Sequence, residues 1–101
     1  MGRRLELQTI LEGILGSRNV YFQPPSNVRM KYPCIVYSWQ RQIERYADND
    51  SYLNRRSYQV TVIDRDPDSI IPSKIQSMPY TRMSSIFVSD DLNHFVFDLH
   101  F

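Results

Sequence analysis

The sequence contains little cysteine and little glycine, and each shortage excludes a class of protein. Cys34 is the only cysteine among 101 residues, so no internal disulfide can form and a disulfide-stabilised extracellular scaffold is excluded. A reducing folding compartment is therefore expected. All three glycines, Gly2, Gly13 and Gly16, fall within the first sixteen residues, so no glycine-rich loop is available to hold a phosphate group.

Long hydrophobic runs and a strong net charge are also missing. No segment approaches the roughly 20 apolar residues that span a bilayer, and the charged N-terminus differs from a secretory signal. We expect a soluble protein, made in the cytoplasm, that folds as one domain over residues 1–101. The formal net charge of +1 argues against an affinity that depends on a general basic surface.

The charges that are present are unevenly distributed along the chain. Residues 1–58 carry nine Lys/Arg and five Asp/Glu, a net +4, whereas residues 59–101 carry three and six, a net −3. If the two parts lie on different faces, copies could pair head to tail, which is the arrangement that closes into a ring. The aromatic content of 13% is generous for one small core and indicates that some Tyr and Phe face partners.

Hydrophobic periodicity predicts two helices. The first should cover residues 3–15, because its Leu and Ile residues recur at helical spacing, and Gly16 should end it in a left-handed conformation. The second should be short, about residues 67–77, with Pro72 in its first turn, where the missing N–H would be unpaired anyway.

Strands account for the other periodic segments. A short strand precedes Pro24, and the apolar, β-branched and aromatic residues 33–40 predict a central strand covered on both faces. Residues 57–64 should return to the sheet with alternate residues buried. "RMSSIFVS" and "HFVFDLHF" should form a hairpin around "DDLN". The core-facing residues of its last strand are predicted to be Phe95, Phe97, Leu99 and Phe101.

The resulting order is α-β-β-β-α-β-β. It predicts an α+β fold: a small single domain with an antiparallel or mixed β-sheet of about four to five strands and two helices packed on one face. A long charged β-hairpin arm, residues 41–56, should extend from the sheet, with its turn near Asp48 to Asp50.

Three alternating aspartates, Asp64, Asp66 and Asp68, pose the question of a metal site. A calcium loop of the EF-hand type that begins at Asp64 would need glycine at the sixth position and glutamate at the twelfth. Ser69 and Ile75 stand there instead. We therefore expect no metal and interpret Asp66, Asp68 and Ser69 as capping residues of the second helix.

Candidates for catalysis are equally weak. Cys34 lies in an apolar run, where a thiol is normally inert, and neither His94 nor His100 has a neighbouring motif that would make it a base. Both histidines are expected to face solvent. The sequence predicts no enzyme and no cofactor.

The arm carries the most interesting mixture of residues. Arginine and tyrosine alternate there, and these are residue types that protein interfaces favour and that also suit phosphates and stacked bases. Acidic residues reduce the net charge of the arm to +1. A solvated hairpin with cross-strand charge pairs, a protein contact and a nucleic-acid contact all remain open. The candidate contact residues are Arg41, Arg45, Tyr46, Tyr52, Arg55 and Arg56.

Several segments in a fixed order resemble one family. "YPCIVYS", the charged arm, "YQVTVIDRDPDS", "IPSKI" followed by "MPY", and "DDLNHFVFDLHF" are together similar to small proteins of long-tailed phages (siphophages), the tail terminator, tail completion or head-tail joining proteins. The similarity extends from Leu7 to Phe101. It rests on order and spacing, since no single segment is diagnostic.

That resemblance implies a structural virion protein. Such subunits form a ring, usually of six copies, that terminates the tail tube at its head-proximal end and joins the tail to the head connector. The implied partners are the protein itself, the tail tube protein, the connector proteins and DNA passing through the lumen, with no membrane. The arm would then overlay a neighbouring subunit or the tube. The residues that could face the lumen and DNA are Arg41, Arg45, Arg55 and Arg56.

Two alternative functions remain open. A head-completion or neck protein on the head side of the same junction would share the small size and would bind the portal side. A small nucleic-acid-binding module would bind short DNA with an affinity that falls steeply as salt rises, and the near-neutral charge disfavours it.

Overall fold

The computed structural model describes residues 3–25, 27–40 and 57–101. The chain forms a mixed five-stranded sheet with two helices, so the predicted α+β class and the order of elements are confirmed. The elements are α1 (Arg3–Leu15), β1 (Val20–Phe22), β2 (Cys34–Trp39), β3 (Ser57–Asp64), α2 (Ile71–Gln76), β4 (Thr81–Ser89) and β5 (Leu92–His100).

The strands lie in the order β1-β2-β3-β5-β4. β1 pairs with β2 in parallel, and every other pair is antiparallel. β3 is therefore the central strand, and the prediction that residues 33–40 form it was wrong. The apolar composition of β2 reflects buried positions at its start, whereas Trp39 at its end is exposed.

Alternation along the strands separates two faces of the sheet. Tyr58, Val60 and Val62 of β3 are buried on the face that carries the helices, as the period of two predicts. Phe95, Phe97 and Leu99 of β5 stand beside them in register and are also buried. Phe101, predicted to face the core, is only partly buried and packs against its rim.

Both helices close the core from the same side. Leu7 and Leu11 of α1 are fully buried, as is Ile75 of α2, and all three belong to the same hydrophobic cluster as the strand residues. Burying a leucine side chain stabilises the fold by about 1.5–3 kcal/mol. The predicted stripe is less regular than expected, because Ile10 is exposed.

The bounds of α1 are those predicted from the sequence. Gly16 follows the helix with φ of +83°, and its N–H donates to Glu12 O over 2.8 Å. This left-handed conformation costs glycine little, because it has no Cβ.

The second helix begins later than predicted. It starts at Ile71 with Pro72 in its first turn, as expected, but its N-cap is Ile70, which makes no side-chain capping bond. Asp66 and Asp68 were wrongly assigned as caps, whereas Ser69 Oγ accepts the N–H of Ile71 over 3.3 Å. Asp66 N–H donates to Asp64 Oδ1 and Asp68 N–H donates to Asp66 Oδ1, so the aspartates stabilise successive turns of the connection.

The final hairpin is tighter than predicted. β4 and β5 are joined by Asp90 and Asp91 alone, with φ of +54° and +63°. Positive φ at both central residues is the geometry of a type I′ turn, in which Asp is tolerated and which suits the twist of the strands. A register irregularity between Met83 and Ser85 interrupts β4.

Candidate functional site

The arm is attached at one end of the sheet. Gln40 follows β2 and Ser57 begins β3, and the Gln40 N–H donates to Ser57 O over 2.9 Å. Residues 41–56 thus connect two hydrogen-bonded neighbours. The predicted hairpin and all six predicted contact residues, Arg41, Arg45, Tyr46, Tyr52, Arg55 and Arg56, lie outside the described residues.

A polar cluster surrounds this attachment point. Gln40 Nε2 donates to Asp98 Oδ1 over 2.9 Å, and Ser57 Oγ shares a 2.9 Å hydrogen bond with His100 Nδ1. Both bonds lie on the face of the sheet opposite the helices and tie β5 to the two residues that flank the arm. Arg82 of β4 stands next to Asp98 in register.

The same residues line an open cavity of about 380 Å³. Its walls are formed by Gln40, Tyr80, Thr81, Arg82, Asp98 and His100. The backbone contributes as well, because His100 N–H donates to Tyr80 O over 3.1 Å. This arrangement can hold the ends of the arm in a fixed position relative to the last strand and presents acidic, basic and neutral polar groups beside it.

The Ser57–His100 contact was not among the contacts predicted from the sequence. The two residues are 43 positions apart, and they meet only because β3 and β5 pair in the register that places them opposite each other. The only sequence signal for this contact is the alternation of buried and exposed residues, which, followed along both β3 and β5, places Ser57 and His100 on the same face of the sheet. His100, expected to face solvent, is partly buried in this contact.

His94 has a different environment on the same strand. Its ring stacks on that of Phe87, with centroids 4.6 Å apart and planes at 9°. Its Nδ1 lies 3.1 Å from Leu92 O. His94 is half-buried, so the expectation that it faces solvent holds only in part, and its contacts indicate packing between β4 and β5.

Cys34 is sequestered as the apolar run predicted. Its side chain is fully buried, and burial raises the pKa of the thiol to about 11, with the charge of Asp64 acting in the same direction. Since the thiolate is the nucleophile, a thiol with this pKa is unreactive near neutral pH.

The aspartates at the opposite end of the sheet form a rim of negative charge. Asp64 ends β3 in register with Asn93 of β5, close to the turn formed by Asp90 and Asp91. Asn93 Nδ2 donates to Asp64 O and holds the connection against the hairpin. We call Asp64, Asp66, Asp68, Asp90 and Asp91 the acidic rim. Within residues 3–25, 27–40 and 57–101 no group of His, Cys, Asp or Glu could hold a metal ion.

An exposed apolar edge is the second surface feature. β4 lies at one end of the strand order, and nearly all of it is exposed. Ile86 is 57% exposed, Phe87 48% and Val88 66%. Such large exposed fractions are unusual for three consecutive hydrophobic residues in a strand. In addition, the backbone edge of β4 that faces away from β5 has no partner strand in the described part of the chain.

The class of this protein follows from these observations: it is a small α+β domain with a mixed sheet, a polar attachment point for a sixteen-residue insertion and an exposed apolar edge. Comparison with protein-family models, curated proteins and solved structures finds no match. No helix among the described residues is long and apolar enough to cross a membrane.

Proposed function

We propose that this protein is a structural subunit of a long-tailed phage virion, located in the tail or neck region. It forms a ring, usually of six copies in the family it resembles, that terminates the tail tube and joins the tail to the head connector. DNA passes through the lumen without sequence-specific binding. The proposal includes no enzymatic activity and no cofactor.

The observation that supports this proposal most directly is that the attachment point of the arm and the acidic rim lie at opposite ends of β3. β3 begins at the arm with Ser57 and ends at the rim with Asp64. Its eight residues span roughly 25 Å at about 3.3 Å per residue. The predicted contact arginines are therefore joined to one end of the sheet, while five carboxylates gather at the other.

The four arginines of the arm, whose net charge is +1, and the five carboxylates of the acidic rim would favour a heterologous contact. The arm of one copy would meet the rim of the next, and repetition of such a contact produces a closed ring when the rotation permits. Electrostatic complementarity of this kind sets orientation and rejects wrong partners more than it adds affinity. The assignment to a phage tail comes from the resemblance of the sequence over Leu7 to Phe101.

The experiment is a solution-mass measurement with a charge-reversed arm. Light scattering over a concentration series, with and without purified tail tubes, should give a closed oligomer or a monomer that caps growing tubes. We expect Arg55→Glu with Arg56→Glu to leave the monomer folded and to reduce ring formation or tube capping at least tenfold. Like charges would then face the acidic rim.

A matched control changes the same amount of charge elsewhere. Arg29 and Lys31 are both exposed in the loop before β2, so Arg29→Glu with Lys31→Glu should leave capping near the wild-type level. Equal capping by the arm variant and the wild type would remove the arm from the mechanism. A wild-type monomer that ignores tubes but binds the portal side would identify a neck protein, and salt-sensitive binding of short DNA would identify a nucleic-acid-binding module.

A further inference from the structure

The exposed edge strand β4 has a composition that requires a cover. Its segment "SSIFVS", Ser84 to Ser89, has no charge and no proline and is rich in β-branched and aromatic residues. Exposed segments of this type pair readily with other strands, and proteins normally protect an edge with charges, a bulge or a covering element. The irregularity near Ser84 protects only the first part of β4.

A matching strand must also be long. β4 offers nine residues, whereas the other edge of the sheet, β1, offers three. Within the described part of the chain, β1 and β4 are the only two sheet edges, so among the described strands only β4 of another copy matches β4 in length.

The charges of β4 are arranged for such self-pairing. Arg82 lies near the start of the strand, and Asp90 and Asp91 follow its end. In an antiparallel pair centred on Ile86, each Arg82 comes to the end where the other copy carries its two aspartates. The neutral apolar residues meet in the middle, and like charges are kept apart.

We propose that β4 binds β4 of a second copy of this chain, antiparallel and with Ile86 at the twofold axis. The contact joins two sheets into one continuous sheet and covers the exposed stripe of Ile86 and Val88. It is isologous, unlike the heterologous contact that closes a ring, so it does not rest on the proposed function.

Cysteine cross-linking tests both the contact and its register. Ile86→Cys places two thiols opposite each other across the axis, and cross-strand Cβ atoms in such pairs are about 4.5–5.5 Å apart. A short thiol-reactive cross-linker should then yield a covalent dimer. Cys34 is fully buried and does not compete.

Val88→Cys is the matched control on the same strand. Its two thiols would lie four residue steps apart along the pair, roughly 13 Å, beyond a short cross-linker. We expect at least tenfold less covalent dimer than from Ile86→Cys. Equal cross-linking of both variants, or none from Ile86→Cys, would overturn the proposal.

Solution mass provides a second readout. Ile86→Lys should halve the mass of the species held by this contact, because two ammonium groups would face each other at the axis. Gln59→Lys adds the same charge at an exposed position of the central strand, whose backbone is already paired, and should not change the mass. An oligomer whose mass is unaffected by Ile86→Lys would contradict the β4 contact and leave the ring proposal intact. A ring that depends on the arm but gives no covalent dimer from Ile86→Cys would also contradict the β4 contact and not the ring.

Discussion

At the scale of single residues, burial decides which polar groups are available for chemistry. Tyr37 is fully buried, and its hydroxyl donates to Gln8 Oε1 over 2.5 Å and accepts a hydrogen bond from Arg4 Nη1 over 3.4 Å. This small network connects β2 to α1. Nothing in the local sequence around Tyr37 indicates it, because its partners come from a helix about thirty residues earlier.

The buried thiol of Cys34 should make stability depend on alkaline pH. Burial raises its pKa from 9.0 to about 11, so above pH 9 the unfolded chain binds fewer protons than the folded protein. The free energy of unfolding should therefore be unaffected below pH 9 and fall as the pH rises towards 11. Burial raises the pKa of Tyr37 too, which acts in the same direction.

Urea unfolding of the wild type and Cys34→Ala at several pH values measures this effect. The variant should lose less stability between pH 9 and pH 11, whatever its stability at neutral pH. Parallel curves for the two proteins would show that the thiol does not contribute.

At the scale of elements, local rules succeeded where the chain itself supplies the signal. The bounds of α1 followed from its periodicity and from Gly16. The start of α2 was predicted too early because the first turn of a helix tolerates proline, and proline alone does not show at which residue that turn begins. β2 was mistaken for the central strand because composition reports burial, whereas position in a sheet depends on pairing with distant strands.

Gly13 inside the first helix and Gly16 just after it should respond in opposite directions to substitution by alanine. Gly16 has φ of +83°, which penalises any Cβ, so Gly16→Ala should destabilise the protein by roughly 1 kcal/mol. Gly13 lies in the helix interior with nothing within 4 Å of an added Cβ, so Gly13→Ala should stabilise it by about 0.5–1 kcal/mol. Denaturant unfolding gives both values, and changes of the same sign would contradict the assigned end of α1.

At the scale of the whole molecule, the distribution of charge is the property most relevant to the proposed assembly. The sequence showed that the two parts of the chain differ in net charge, but only the sheet places the acidic rim and the arm attachment at opposite ends. The Ser57–His100 contact could not be predicted for the same reason, since strand register brings the two residues together.

Neutralising part of the acidic rim should weaken the proposed head-to-tail contact. Asp66→Asn with Asp68→Asn retains side-chain oxygens that can accept the N–H of Asp68, so the turn should persist. We expect assembly to weaken several-fold at low salt and to become less sensitive to ionic strength. Light scattering at about 0.05 and about 0.5 M salt, where the Debye length is roughly 14 Å and roughly 4 Å respectively, measures the change.

The variant leaves β4 untouched, so its effect is separate from the edge contact. Its unfolding midpoint should stay near that of the wild type. Unchanged assembly at every salt concentration would exclude the rim as a partner of the arm.

The attachment of the arm has a consequence for how the protein can diverge. Gln40 and Ser57 are hydrogen bonded to each other and to residues of β5. The fold of the rest of the domain therefore depends little on how many residues lie between them. Doubling the length of a flexible insertion costs only about 0.6 kcal/mol in closure entropy. The stability of the domain therefore places little constraint on the length of this insertion.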